Sequence, residues 1–139
     1  MSREIIRDSD GNIQSAEAGE SSTITALLTD ATGANLDTAS VLTLTATLVN
    51  ATTGAVVNSR NAQTILNANG GSLADNGDGN ALLTLKLSPA DNANVGTTAG
   101  NLEIHYLLVT WTWQDSDGDT QTGKHEWELY VRPTTTPVP

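Results

Sequence analysis

The chain has 139 residues, no cysteine, no phenylalanine and a formal net charge of −10. This length suits one domain with its own core, and the missing cysteines exclude disulfides and thiolate metal sites. The acidic excess argues against nucleic acid and anionic membranes as partners, because both bind basic surfaces. No apolar run is long enough for a signal peptide or a membrane span, so we expect synthesis and folding in a cytoplasm.

The chain divides into three parts by composition. Residues 1–20 are mostly polar, and we expect them to form an N-terminal arm or an edge strand. Residues 21–133 contain the strand patterns and are expected to form one β-sandwich domain. Residues 134–139 are rich in proline and threonine and cannot continue a β-ladder, so we expect a C-terminal tail.

Period-two alternation dominates the domain, with threonine as the usual outward residue. No segment has a sustained helical period. The loop predicted at Asn69–Asn80 is dense in glycine, asparagine and aspartate. Short strands separated by turn signals predict a single all-β, antiparallel, immunoglobulin-like β-sandwich of about seven to nine strands. The strands preceding the terminal hairpin are predicted at Ser22–Thr29, Val41–Asn50, Ala55–Asn58, Thr64–Asn67 and Ala81–Leu87.

The last two strands are predicted to form one long hairpin around Asp115–Asp119, because Asp-Gly between alternating strands is a strong hairpin signal. With that Asp-Gly as the two turn residues, Leu108 is expected opposite Trp127 on the core face. A slip by one residue would place Glu126 beside Leu108, and burying an unpaired carboxylate is costly. The core is therefore expected to contain Leu42, Leu44, Leu48, Leu83, Leu85, Ile104, Tyr106, Leu108, Trp127 and Leu129.

The same register predicts a second apolar stripe on the opposite face of the hairpin. A stripe of this kind is too apolar for an ordinary solvated face, and tryptophan is enriched at the centres of protein interfaces. We therefore expect a protein interface here, with a carbohydrate platform on exposed tryptophans as the alternative. The expected interface residues are Leu107, Val109, Trp111 and Trp113 of the stripe, with Ile5, Ile6 and Val138 in the terminal segments.

The sequence contains no recognisable arrangement of catalytic residues. Asp115, Asp117 and Asp119 could hold calcium, but aspartate also favours turns through local hydrogen bonds, and we prefer that interpretation. His105 and His125 fall on opposite faces of the predicted hairpin, whereas zinc ligands must converge. No Gly-x-Ser-x-Gly motif and no pair of acids flanking a cleft is recognisable. We therefore expect a protein that is not an enzyme and has no metal site and no cofactor.

Several turn motifs follow one another in a recognisable order. A polar turn with glycine in Thr25–Asp37 precedes the threonine-rich strand, and a Thr-Gly hairpin follows it at residues 51–57. A Gly-Asp-Gly loop at Gly77–Gly79 and a Leu-Ser-Pro-Ala-Asp turn at Leu87–Asp91 come before the final acidic hairpin. In this order, from about residue 22 to residue 132, the chain resembles the immunoglobulin-like domains of tailed-phage virion proteins, nearest to the baseplate upper-protein type.

The resemblance implies a non-enzymatic structural protein that assembles through sheet-face and terminal-arm contacts. Its expected location is the virion, and its expected partners are copies of itself and other virion proteins of the capsid, connector or tail. Decoration of the capsid and assembly of the neck or tail are equally compatible with it.

Overall fold

The protein is described here by a computed structural model that covers residues 3–5, 15–17, 21–93 and 103–132. These residues are nearly all in β-structure, apart from turns and a short 3-10 helix at Thr38–Ser40. The strands are β1 Arg3–Ile5, β2 Ser15–Glu17, β3 Ser22–Leu27, β4 Val41–Asn50, β5 Gln63–Thr64, β6 Gly71–Asp75, β7 Ala81–Leu87, β8 Glu103–Gln114 and β9 Thr120–Arg132.

Two sheets form a sandwich. The large sheet has the order β1-β9-β8-β4-β5, with β2 also paired to β9, and the small sheet has the order β3-β7-β6. Pairing is antiparallel except for β1 and β2, which run parallel to β9. In an immunoglobulin-like sandwich, strands G, F and C form one sheet and strands B, E and D the other. The orders β9-β8-β4 and β3-β7-β6 parallel this arrangement. The predicted all-β sandwich is confirmed.

The core lies between the two sheets and takes alternate side chains from each strand. Leu44, Leu48, Leu83 and Leu85 are fully buried, as predicted. The connections also contribute buried side chains that the sequence patterns did not assign to the core, namely Leu28, Leu36, Val57 and Ile65.

The terminal hairpin pairs in a register one residue away from the predicted one. Trp127 lies opposite Leu107, and Glu126 lies opposite Leu108. The turn explains the difference, because the N–H of Gly118 donates to the carbonyl of Asp115 at 3.1 Å and Gly118 has a φ of 83°. A type I turn followed by a left-handed glycine has one more loop residue than the predicted two-residue turn, so every pair beyond it shifts.

This register does not bury the carboxylates. Trp127 keeps its place in the core, and the facing strand turns its odd-numbered side chains inward. That row, from Leu107 to Trp113, is more apolar than the even-numbered row, which contains threonines. Glu126 and Glu128 therefore share the half-exposed outer face with the even-numbered row. The predicted core positions Ile104, Tyr106 and Leu108 are wrong for this reason.

Further predictions fail locally. The strand predicted at Ala55–Asn58 is reduced to a bridge between Val56 and Val49, and β5 includes only the first residue of the strand predicted at Thr64–Asn67. Leu42 is 45% exposed, because the register between β4 and β8 shifts at Val41/Thr43 and turns its side chain outward. Strand β6 forms within the predicted loop Asn69–Asn80. Its first residue, Gly71, lies so close to the backbone of Ile65 that an added Cβ would clash. The glycine here allows close packing and does not mark a loop.

Candidate functional site

The predicted interface residues of the terminal hairpin belong to the core. Leu107 and Val109 are fully buried, and Trp111 and Trp113 are each 5% exposed. They pack in the same apolar cluster as the leucines of β4 and β7. The predicted exposed stripe is therefore wrong, and no indole platform for carbohydrate exists at Trp111 and Trp113. The remaining predicted interface residues lie in the terminal segments.

Three predicted interface residues lie in the terminal segments. Ile5 ends β1, and its backbone pairs with Glu128 of β9. Ile6 and Val138 lie outside the described residues. The predicted contact of these three residues with a neighbouring subunit stays a prediction.

The outer face of the small sheet carries little charge, although the chain as a whole has a net charge of −10. Its rows follow from the strand register: Leu27 lies beside Leu82, Thr25 beside Thr84 and Thr23 beside Lys86. Leu27 is 39% exposed and is one of the exposed large hydrophobic side chains of the described chain. We call this surface the small-sheet face, and it consists of Thr23, Thr25, Leu27, Ser72, Ala74, Leu82, Thr84 and Lys86.

Among the described strands, β3 forms an open edge of the small sheet. The N–H of Leu28 donates to the carbonyl of Ala81 at 3.0 Å, which fixes the alternation of hydrogen bonds along the β3–β7 pair. In this pattern the odd-numbered residues of β3 direct their N–H and C=O groups away from β7. These are Thr23, Thr25 and Leu27, and among the described strands only β7 pairs with β3. Within the described part of the chain, no strand pairs with their N–H and C=O groups, and an edge of this kind can pair with a strand from another chain.

A cleft of about 380 Å³ lies between β3 and side chains of β8 and β9. Its walls are formed by residues 25–29 together with Trp111, His125 and Trp127. The imidazole of His125 packs on the indole of Trp127 with ring centroids 4.4 Å apart. The Nε1–H of Trp111 donates to the carbonyl of Thr29 at 3.1 Å, which links β8 to the end of β3. The cleft thus gives the open edge a largely apolar border.

The acidic turn between β8 and β9 is organised by local hydrogen bonds. The carboxylate of Asp115 accepts from the backbone N–H groups of Asp117 and Asp119 and from the side-chain amide of Gln121. The Gln121 amide, followed by the Asp119 N–H, holds the pKa of Asp115 below its ordinary value. The carboxylate oxygens of the three aspartates lie within 4.8 Å of one another. The hydrogen bonds of Asp115 are those expected of an aspartate that stabilises a turn.

A buried ion pair lies at the opposite end of the sandwich. The guanidinium of Arg60 donates to both carboxylate oxygens of Asp91, at 2.7 and 3.0 Å, and both residues are buried. Asn58 and the N–H of Ser88 also donate to this carboxylate. Burial by itself raises the pKa of Asp91, but these hydrogen bonds and the charge of Arg60 bring it below its ordinary value. The ion pair joins the connection after β4 to the turn after β7.

A second cleft, of about 470 Å³, opens beside this ion pair. Arg60 and Lys86 are its cationic lining residues. The guanidinium of Arg60 is already bound by Asp91 and, at 3.0 Å, by the side-chain carbonyl of Gln63. Lys86 alone therefore leaves a charge for a ligand in this cleft, so its cationic character is weak.

The two histidines do not converge. Both face the inner side of the hairpin, contrary to the prediction, but His105 pairs with Leu129 and His125 with Val109, far apart along the strands. His105 is fully buried, and its Nε2 lies 2.5 Å from a carboxylate oxygen of Glu103. A shared zinc site is excluded by this separation.

The charge pattern of β3 is the feature of the site that sequence reasoning missed. Ser22–Thr29 contains no charged residue, proline or glycine. Edge strands of natural proteins usually contain such residues, because they block unwanted pairing. An uncharged strand of this kind was a visible signal, but the sequence alone did not show that β3 would lie at an edge.

Comparisons with known proteins found no relative. No family model, no curated protein and no solved structure matches this chain. In the part of the chain that the structure describes, no helix has the length and apolar character needed to cross a membrane. The function of the domain is therefore approached through its own residues.

Proposed function

We propose that this domain is a non-enzymatic structural protein of a tailed-phage virion, which assembles with copies of itself and with other virion proteins. The small-sheet face, with its open β3 edge, is the observation that carries the assembly role. It replaces the buried hairpin stripe as the contact surface. The virion as the location rests on the sequence resemblance alone.

The surface chemistry supports assembly. Protein contacts favour surfaces from which charged groups are depleted, because charges are costly to desolvate. The small-sheet face has Lys86 as its charged member, whereas Glu126 and Glu128 are on the outer face of the large sheet. Leu27 gives the small-sheet face an exposed apolar anchor at 39% exposure. The two outer faces therefore differ in their suitability for a dry contact.

The carbohydrate-binding alternative is not carried forward. It required indole rings exposed on a sheet face, and Trp111 and Trp113 are each 5% exposed. Trp127, the third tryptophan, is also 5% exposed. Sugar rings cannot stack on indoles whose faces are packed in a core.

Quantitative mass spectrometry of purified particles of the phage that encodes this chain tests the proposal. We expect the chain at a copy number comparable to other head, neck or tail proteins, retained through density-gradient and nuclease treatment. An abundant non-structural phage protein from the same lysate serves as the control for carry-over. Absence of the chain from particles, or its loss in parallel with the control, contradicts the proposal.

A further inference from the structure

Among the described residues, no strand takes the place that usually borders β3 in the small sheet. In immunoglobulin-like sandwiches the sheet with strands B, E and D has strand A next to B. Here β3 corresponds to B, and the N-terminal strands β1 and β2 both pair with β9 of the large sheet. Among the described strands, the place beside β3 is therefore open to a strand from another chain.

We infer that this place is filled by β3 of a second copy, paired antiparallel about a twofold axis at Thr25. The inference rests on the proposed function in that both require the domain to assemble. In this arrangement Thr25 faces its own copy and Thr23 faces Leu27. The two small sheets become one continuous sheet, with about six new backbone hydrogen bonds, two for each hydrogen-bonded pair.

The side chains of β3 suit this symmetric pairing. Antiparallel pairing about Thr25 places two threonines side by side, and cross-strand threonine pairs can hydrogen-bond. Leu27, 39% exposed in the single chain, packs beside Thr23 of the other copy. An isologous contact of this kind uses the same patch on both copies and closes at a dimer.

The distribution of charge favours the same arrangement. Two chains with a net charge of −10 repel each other, and Ser22–Thr29 is uncharged, so pairing through β3 places no like charges directly opposite each other along this segment. Antiparallel pairing points the acidic loop ends of the two copies in opposite directions. Asp30, which follows β3, therefore lies at opposite ends of the new strand pair in the two copies. The two Asp30 carboxylates are thus kept far apart.

Sedimentation analysis of the recombinant protein tests whether the edge mediates self-association. We expect a dimer for the wild type and at least a tenfold or so weaker association for Thr25→Lys, because like charges would oppose each other across the axis. The matched control is Thr84→Lys, which adds the same charge to the same face one strand away and should keep the dimer. A monomeric wild type, or equal weakening by both variants, overturns the inference. Thermal melting of each variant separates lost association from lost folding.

Disulfide trapping tests the register directly, since the chain has no cysteine of its own. Thr25→Cys should form a covalent dimer on mild oxidation, because residues facing each other across a strand pair are within disulfide reach. Thr23→Cys should not, because its two copies would lie about 14 Å apart along the strands. A mixture of Thr23→Cys and Leu27→Cys proteins should cross-link to each other. Cross-linking of Thr23→Cys alone, or none at Thr25→Cys, overturns the antiparallel arrangement.

These results are independent of the particle experiment. Absence of the chain from virions would contradict the proposed location and leave a trapped Thr25→Cys dimer standing. Conversely, a virion protein whose wild type stays monomeric would retain the proposed function and overturn the β3 pairing.

Discussion

The indole of Trp111 shows how one side chain can determine the face of a whole strand. It lies directly over Gly123 of the neighbouring strand, where an added Cβ would come within 2.5 Å of the ring. Its Nε1–H donates to the carbonyl of Thr29, so the polar group of the buried indole has a hydrogen-bond partner. The glycine in the middle of β9 thus accommodates the ring, and the ring links the two sheets.

Replacement of Trp111 by alanine should destabilise the domain by about 3–5 kcal/mol, as other large-to-small core substitutions do. The variant loses buried apolar contacts and leaves a cavity between the sheets. Urea denaturation measures the change. Leu42→Ala is the control because Leu42 is 45% exposed. This substitution should change the free energy of unfolding by less than about 0.5 kcal/mol. A fully stable Trp111→Ala variant would mean that the indole lies outside the core.

The Asp91 carboxylate predicts a dependence of stability on acid. Its pKa lies below the ordinary value of 3.8 in the folded protein, mainly because donors from Arg60 and Asn58 overcome the effect of burial. The ionised form is thus favoured by folding. Its stabilising contribution is complete above the ordinary pKa and is lost as the pH falls through the folded pKa.

Asp91→Asn should therefore lower stability at neutral pH by about 3–5 kcal/mol, because it leaves the buried charge of Arg60 without its partner. Below pH 3.8 the difference from the wild type should shrink. Denaturant titrations across this range provide the measurement, and Asp117→Asn, at an exposed turn position, is the control. A difference that stayed constant with pH would show that Asp91 does not titrate in the way described.

At the level of elements, the terminal hairpin depends on its turn and on its glycine. The turn shifts the pairing by one residue relative to a two-residue loop, and Gly123 then falls opposite Trp111. The same strand would have placed Lys124 opposite Trp111 in the predicted register. The turn chemistry and the packing at this glycine therefore agree on one register.

Gly123→Ala should destabilise the domain by about 1–3 kcal/mol, since the methyl group would force the indole of Trp111 from its place. In an ordinary strand the same substitution would be neutral or stabilising. Thr122→Ala, at the adjacent exposed position, provides the comparison in the same denaturation assay. Unchanged or increased stability of Gly123→Ala would indicate that the ring does not cover this residue.

The sequence predicted the elements better than their faces. Alternation identified β4, β7 and both arms of the hairpin, and the leucines of β4 beyond the irregularity at Val41/Thr43 were assigned correctly. The core face of β9 was assigned correctly, with Trp127 and Leu129. The face of β8 was misassigned because both of its rows are apolar enough for a core, so periodicity could not choose between them. Gly123 contained the missing information, since a glycine within a strand often marks close packing.

The small-sheet face with its β3 edge could not be predicted from the sequence. Which strand forms an open edge depends on the pairing of distant segments, and here it depends on β1 and β2 joining β9 instead of β3. No local pattern in Ser22–Thr29 reveals that choice. The small-sheet face therefore emerges only at the level of topology.

On the scale of the whole molecule, charge is distributed unevenly along the sandwich. The loops at one end carry exposed or half-exposed carboxylates, whereas Arg60 and Lys86 lie towards the other end and Lys124 lies on β9 near the acidic turn. The strands of the small sheet between them are almost neutral. A molecule of this kind can pack side by side through its neutral sheet while its acidic ends keep apart. The acidic residues at the first end are Asp30, Asp37, Asp75, Asp78, Asp115, Asp117 and Asp119.

The register of the terminal hairpin decides which face of β8 packs in the core. It therefore also decides whether Trp111 and Trp113 can form a contact surface. NMR contacts between backbone Hα atoms across β8 and β9 measure this register directly, because residues in non-hydrogen-bonded pairs approach to about 4.5 Å between Cα atoms. The structure predicts such contacts for Leu108 with Glu126 and for Thr110 with Lys124. A contact pattern that instead pairs Val109 with Glu126, as a two-residue loop would, contradicts the account, because it would return Trp111 and Trp113 to the surface.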